Sequence, residues 1–128
     1  MMTFDDFEPG LPLGACSFAF TKEALAEWSA LFPDDRQSSP AMPPAMIAMV
    51  VMRAFTMVLH DRPRGNIHAS QKFWISRLPT LNDRLTTRLS CIGKELKNGR
   101  RWLTFGTDTI DPAGELLFRG QMTTIWAT

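Results

Sequence analysis

The sequence predicts an α+β fold: one antiparallel sheet wrapped around a single long apolar helix. Three observations lead there. The run Ala45–His60, AMIAMVVMRAFTMVLH, is apolar around most of a helical circumference, as suits a helix enclosed by other structure. After it come four extended runs separated by short segments rich in turn-forming residues. Before it stand one short aromatic run and one amphipathic run. An antiparallel sheet curling about the apolar helix satisfies every one of these elements. With 128 residues there is room for one core, so residues 1–128 are expected to form a single domain.

The elements follow in order. The arm FEPGLPLG holds two prolines and two glycines and is expected to be irregular. Ala15–Phe20, ACSFAF, is the first strand. Thr21 suits an N-cap, opening a helix over TKEALAEWSALF whose Leu25, Trp28 and Leu31 (or Phe32) form an apolar stripe. Pro33 ends it, and the four-proline stretch Pro33–Pro44 is the longest loop. The central helix then begins directly behind Pro43 and Pro44, where missing N–H groups cost little. Its Met46, Met49, Met52 and Met57 suit adaptable core packing. Arg53, alone in this apolar run, needs a carboxylate, backbone carbonyls or an interface.

Strands are expected at Ile67–Leu78, Arg84–Leu96, Arg101–Ile110 and Glu115–Ala127, with breaks at PTLND, KNGR and DPAG. Period-two alternation places Ile67, Ala69, Phe73 and Ile75 on one face, and Leu85, Leu89 and Cys91 on one face of the next strand. In the last strand Leu116, Phe118, Met122 and Trp126 alternate with Leu117, Arg119, Gln121 and Thr123.

Composition removes several functions. The net charge of +1 supplies no field for nucleic acid or anionic lipid, and no basic-aromatic stacking motif is present. Cys16 and Cys91 have no metal or redox spacing, and His60 and His68 cannot build a zinc pattern, so no metal is expected. There is no G-x-S-x-G run and no Gly-rich phosphate loop. The greasy stretch Ala45–Leu59 is short for a membrane span and carries Arg53. The acidic opening MMTFDDFEPG is unlike a secretory leader, so the cytoplasm is expected, with both thiols reduced.

Several short motifs carry a resemblance. Pro43-Pro44-Ala45-Met46 opens the central helix. Ile67-His68 opens the next strand, followed by Phe73-Trp74, Pro79 and the Asn82-Asp83 turn. Gly99-Arg100-Arg101 and Asp111–Glu115 complete the series. In this order and spacing they resemble the MaoC-like dehydratases and hydratases of the hotdog fold, over nearly the whole chain. The resemblance implies action on an acyl thioester, on coenzyme A or a carrier protein, with no cofactor beyond the coenzyme A of the substrate. It also implies a homodimer or larger assembly, or a pair with a second hotdog subunit, with the thioester site in the shared seam.

One segment departs from the pattern. Catalytic members carry a G-D-x-N-P-apolar-H run between the two helices; here that segment is LFPDDRQSSPAMPP, without histidine or Asn-Pro. In this the chain resembles the non-catalytic half of double-hotdog proteins. Three functions follow: hydration or dehydration of a 2-enoyl thioester, a degenerate subunit that binds acyl-CoA or supports a catalytic partner, and thioester hydrolysis. Hydration needs a base near water, a proton donor, and donors for the enolate-like oxygen. Asp34, Asp35 and His68 are the acid–base candidates, with His60 the weaker histidine. Backbone amides at Ala45 and Met46 are the candidate donors, with the helix dipole behind them. Arg62, Arg64, Arg100 and Arg101, with Lys97, are candidates for the coenzyme A phosphates.

Overall fold

A computed structural model describes residues 1–35 and 40–128; residues 36–39 of the expected Pro33–Pro44 loop lie outside the described residues. A 3₁₀ turn at Phe4–Asp6 precedes strand β1 (Pro12–Ala19) and helix α1 (Lys22–Leu31). Helix α2 (Met46–Val58) follows, then β2 (Ile67–Ile75), β3 (Arg84–Lys97), β4 (Arg100–Ile110) and β5 (Leu116–Trp126). The sheet order is β1-β3-β4-β5-β2, and every neighbouring pair is antiparallel. β1 and β2 therefore form opposite edges, with the two helices in the connection between them.

Local chemistry accounts for the elements. The Thr21 hydroxyl accepts from the Ala24 amide at 3.1 Å and caps α1. The β3–β4 turn places Asn98 and Gly99 at positive φ, the geometry of a two-residue hairpin turn. In the β4–β5 turn the Asp111 carboxylate accepts from the Ala113 and Glu115 amides, both at 2.9 Å. None of the helices is long and apolar enough to cross a membrane among the described residues.

The core lies between α2 and the inner face of the sheet. Met46, Ile47, Val50, Val51, Ala54 and Phe55 are buried, a stripe at helical spacing. α2 packs chiefly on β1 and β3. Gly14 makes the close approach to β1 feasible, since a Cβ there would lie 3.1 Å from Val58 Cγ1. Among the described residues the helix keeps one face open: Met57 is 58% exposed, and Met49 and Met52 are half-buried. Arg53 lies on the β1 side, donating from Nη1 to the Ser17 carbonyl at 2.8 Å and to Cys16 Sγ at 3.0 Å, so backbone takes its charge.

Three expectations need correction. The N-terminal arm is irregular over residues 7–11, as expected, but β1 already begins at Pro12 rather than Ala15, and Phe7 is fully buried, edge-on to Phe105 (5.5 Å) and Trp126 (5.1 Å). The expected common face of Ile67, Ala69, Phe73 and Ile75 is also broken. A bulge between His68 and Ser70 shifts the register, so Ile67 pairs with the outward Ile125 while Phe73 and Ile75 pair with Gly120 and Phe118 of the buried face. Third, the start of β5 departs from the expected alternation: beside a register shift at Thr109/Ile110, Leu117, expected on the other face, is fully buried, and Leu116, expected on the buried face, is only partly buried. In β3 alternation holds, with Leu85, Leu89 and Cys91 all buried.

Candidate functional site

The start of α2 is sewn to the β2–β3 connection. Met42 N donates to Pro79 O at 2.7 Å, Leu81 N donates to Pro40 O at 2.9 Å, and Ala41 bridges Thr80. The same connection holds the end of β1 through Asn82 N to Phe20 O and Phe20 N to Asp83 O. At this end of the molecule the Met46 amide donates to Pro43 O at 2.9 Å, so its own turn already uses it. Ala45 is exposed, and its amide has no acceptor among the described residues. Asp35, beyond the end of α1, accepts from Trp28 Nε1 at 2.8 Å through Oδ2, while Asp34 is exposed.

His68 lies at the other end. It pairs with the buried Thr124, so the bulge that follows it leaves it on the inner face, the face on which α2 lies. It is exposed there, because α2 covers β1 and β3 and leaves β2 open. This end holds the last turn of α2, where Arg62 Nη1 donates to Leu59 O at 3.0 Å and its guanidinium sits over the Phe55 ring. Arg62 thus has a structural use. Arg101 lines a hollow of about 200 Å³ here with Pro63 and Thr128, and Arg64 is exposed on the neighbouring loop. Arg100 stands apart with Lys97 and Trp102 near the hairpin tip. One chain therefore separates His68, Arg64 and Arg101 from Ala45 and Met46 by the length of α2, roughly 20 Å at 1.5 Å per residue.

No family model matches the sequence, and no curated protein matches it. Solved structures do match in fold. A MaoC-like dehydratase from Rhodospirillum rubrum superposes with a TM-score of 0.81 at 14% identity, over 100% of this chain and 99% of that one. The hotdog fold is thereby established. An unliganded R-hydratase from Pseudomonas aeruginosa gives 0.71 at 18% identity, covering 96% and 84% of the two chains. The ChsH1-ChsH2 complex from Mycobacterium tuberculosis gives 0.75 at 9% identity, covering 94% and 98%.

Within the hotdog, two further polar groups face inward. The Thr107 hydroxyl and Gln71 Oε1 are buried with no hydrogen-bond partner among the described residues. They converge at Gly120, where a Cβ would lie 2.5 Å from Thr107 Oγ1 and 3.4 Å from Gln71 Nε2. The signal in the sequence was the isolated glycine inside the β5 pattern, which marks a close approach. On the opposite face of the hotdog sheet is a larger hollow of about 510 Å³ beside Trp74 and Arg119, which no motif announced.

Proposed function

We propose that the chain binds an acyl thioester on the inner face of its sheet and, paired with a second hotdog subunit, adds or removes water at a 2-enoyl group. The observation that carries this reading is the whole-length likeness in fold to a MaoC-like dehydratase and an R-hydratase. The partner is a second copy joined along β2. β2 has β5 on one side only; its other edge carries no strand in one chain, and Ile67, Trp74 and Ile75 along it are each about half accessible, which sheets avoid leaving open.

Pairing two β2 strands antiparallel about a twofold axis near Gln71 resolves the separation found within one chain. It brings the partner's His68 level with Phe73–Ile75, toward the end where α2 begins. The site then combines Ala45 of one subunit with the partner's His68, and in this proposal Asp35, on the connection between α1 and α2, supplies the carboxylate. In the hydration direction one of these two side chains takes a proton from water as the oxygen bonds to C3. The other delivers a proton to C2, and the Ala45 amide receives the enolate oxygen that forms at the thioester carbonyl. Asp35 is preferred over Asp34 because the Trp28 indole fixes one carboxylate oxygen and leaves the other to act. Arg64, on the loop leading into β2, would meet the coenzyme A phosphates, and the cytoplasm is the compartment this chemistry suits.

The test is loss of enoyl-thioester absorbance across a short-to-long 2-enoyl-CoA panel with the purified protein. Turnover abolished by His68→Ala and by Asp35→Ala is expected; rates unchanged by either would sink the assignment. A second reading is supported by one observation, the absence of histidine between the helices. In it the chain is a degenerate subunit that binds acyl-CoA or completes the site of a different hotdog, as heteromeric hotdog complexes suggest. No turnover with any chain length, and activity only with a co-purifying hotdog, would favour it. Release of free coenzyme A without hydration would favour a thioesterase.

A further inference from the structure

The hollow of about 510 Å³ lies on the sheet face turned away from α2. Its floor is Gly106, flanked in register by Ser90 on β3 and Gln121 on β5. A Cβ at Gly106 would lie 3.1 Å from Ile92 Cγ2, so the bare backbone at this point keeps the hollow open. One row along, the register sets Arg88, Asp108, Arg119 and Trp74 side by side across β3, β4, β5 and β2. Trp74 is 51% exposed and Ile92 47% exposed, and both border the hollow with Leu116.

Arg119 is held in a particular way. Its Nε donates to Asp108 Oδ1 at 2.8 Å, and its two terminal nitrogens have no partner among the described residues. The ion pair steadies the guanidinium and leaves its fork, the geometry that grips a carboxylate in two parallel bonds, turned to solvent. Arg119 and Asp108 are the charged residues lining the hollow, with Arg88 and Lys72 beside the same rows in register but outside the lining. The free end of the Arg119 guanidinium is the group there that favours an anion. Trp74, Ile92 and Leu116 favour a flat apolar body beside it. The volume lies within the range of small-molecule sites.

We propose that this hollow binds a small aromatic carboxylate, its carboxylate on the Arg119 fork and its ring against Trp74. The site lies on the sheet face turned away from α2, and Trp74, at its β2 border, also belongs to the edge along which the second copy is proposed to join. The test uses 2-naphthoate with the full chain, followed by isothermal titration, with 2-naphthalenemethanol as the neutral comparison. The expected result is saturable one-to-one binding of the acid, with the alcohol at least about tenfold weaker, the discrimination one charge-assisted pair supplies. Arg119→Gln should weaken the acid by a similar factor and leave the alcohol unchanged, and Trp74→Leu should weaken both. Both side chains are exposed, so both variants are expected to melt with the wild type. Equal affinity for acid and alcohol, or an acid affinity unmoved by Arg119→Gln, would overturn the proposal. So would the absence of saturable binding of the acid to the wild-type chain.

Discussion

Replacing Phe7 by alanine should be the most costly single change outside α2 and the sheet. Phe7 is fully buried although it belongs to a Pro- and Gly-rich arm, and its ring meets Phe105 and Trp126 edge-on. Removing a buried phenylalanine costs about 3–5 kcal/mol once the cavity is counted. The edge-on contacts place Phe7→Ala in the upper half of that range, because each such pair is worth about 0.5–1.5 kcal/mol beyond area. For a chain of this size, an unfolding entropy near 0.27 kcal/mol/K turns about 4 kcal/mol into a fall of roughly 15 °C in Tm. Urea and thermal unfolding followed by far-UV circular dichroism would measure it, with Phe4→Ala as the comparison. Phe4 is only half-buried, under the Lys94 ammonium at 4.6 Å, and its loss should cost about 1 kcal/mol. A Phe7→Ala variant within about 1 kcal/mol of wild type would refute the view that the arm is part of the core.

Three further outcomes are expected. Thr107→Val should raise stability by about 1–2 kcal/mol, since it removes a buried hydroxyl without a partner and keeps the shape; destabilisation would mean that an ordered water satisfies that hydroxyl. Gly120→Ala should lower stability by about 1–3 kcal/mol because its methyl meets the Thr107 hydroxyl, and Thr107→Ala in the same chain should relieve most of this; additive losses would contradict the contact. Burial pushes the Cys91 thiol above its usual range. The unfolded chain therefore loses that proton first, and the contribution of Cys91 is whole below about pH 8.5 and declines as pH rises toward the folded value. Iodoacetamide at pH 8 should label Cys16 and spare Cys91 in the native protein, and mass spectrometry showing equal labelling would count against its burial.

Much of the fold was legible because it is written in short-range chemistry. Thr21, Pro33 and the paired prolines before Met46 bound the helices. Asn98-Gly99 and Asp111–Gly114 bound the hairpins, and alternation named the buried faces of β3 and of β5 from Phe118 onward, though not at Leu116 and Leu117. What escaped depends on contacts between distant segments. The burial of Phe7 exists only because Phe105 and Trp126 leave a place for its ring. The bulge after His68 has no residue signature of its own, yet it decides which face His68 and Phe73 share. The candidate site was legible as a set of residue types but not as a place, since Ala45 and His68 are separated by the full length of α2.

That separation yields the most direct test of a site shared between two subunits. His68→Ala and Asp35→Ala chains would be mixed, dissociated and reassociated, with mass spectrometry confirming mixed pairs, and then assayed with 2-enoyl-CoA. Random pairing makes half of the dimers mixed, each with one site built wholly from unmutated groups, so activity should recover to about a quarter of wild type. Mixed dimers that stay as inactive as either parent would contradict a site built from one subunit's Asp35 and the partner's His68.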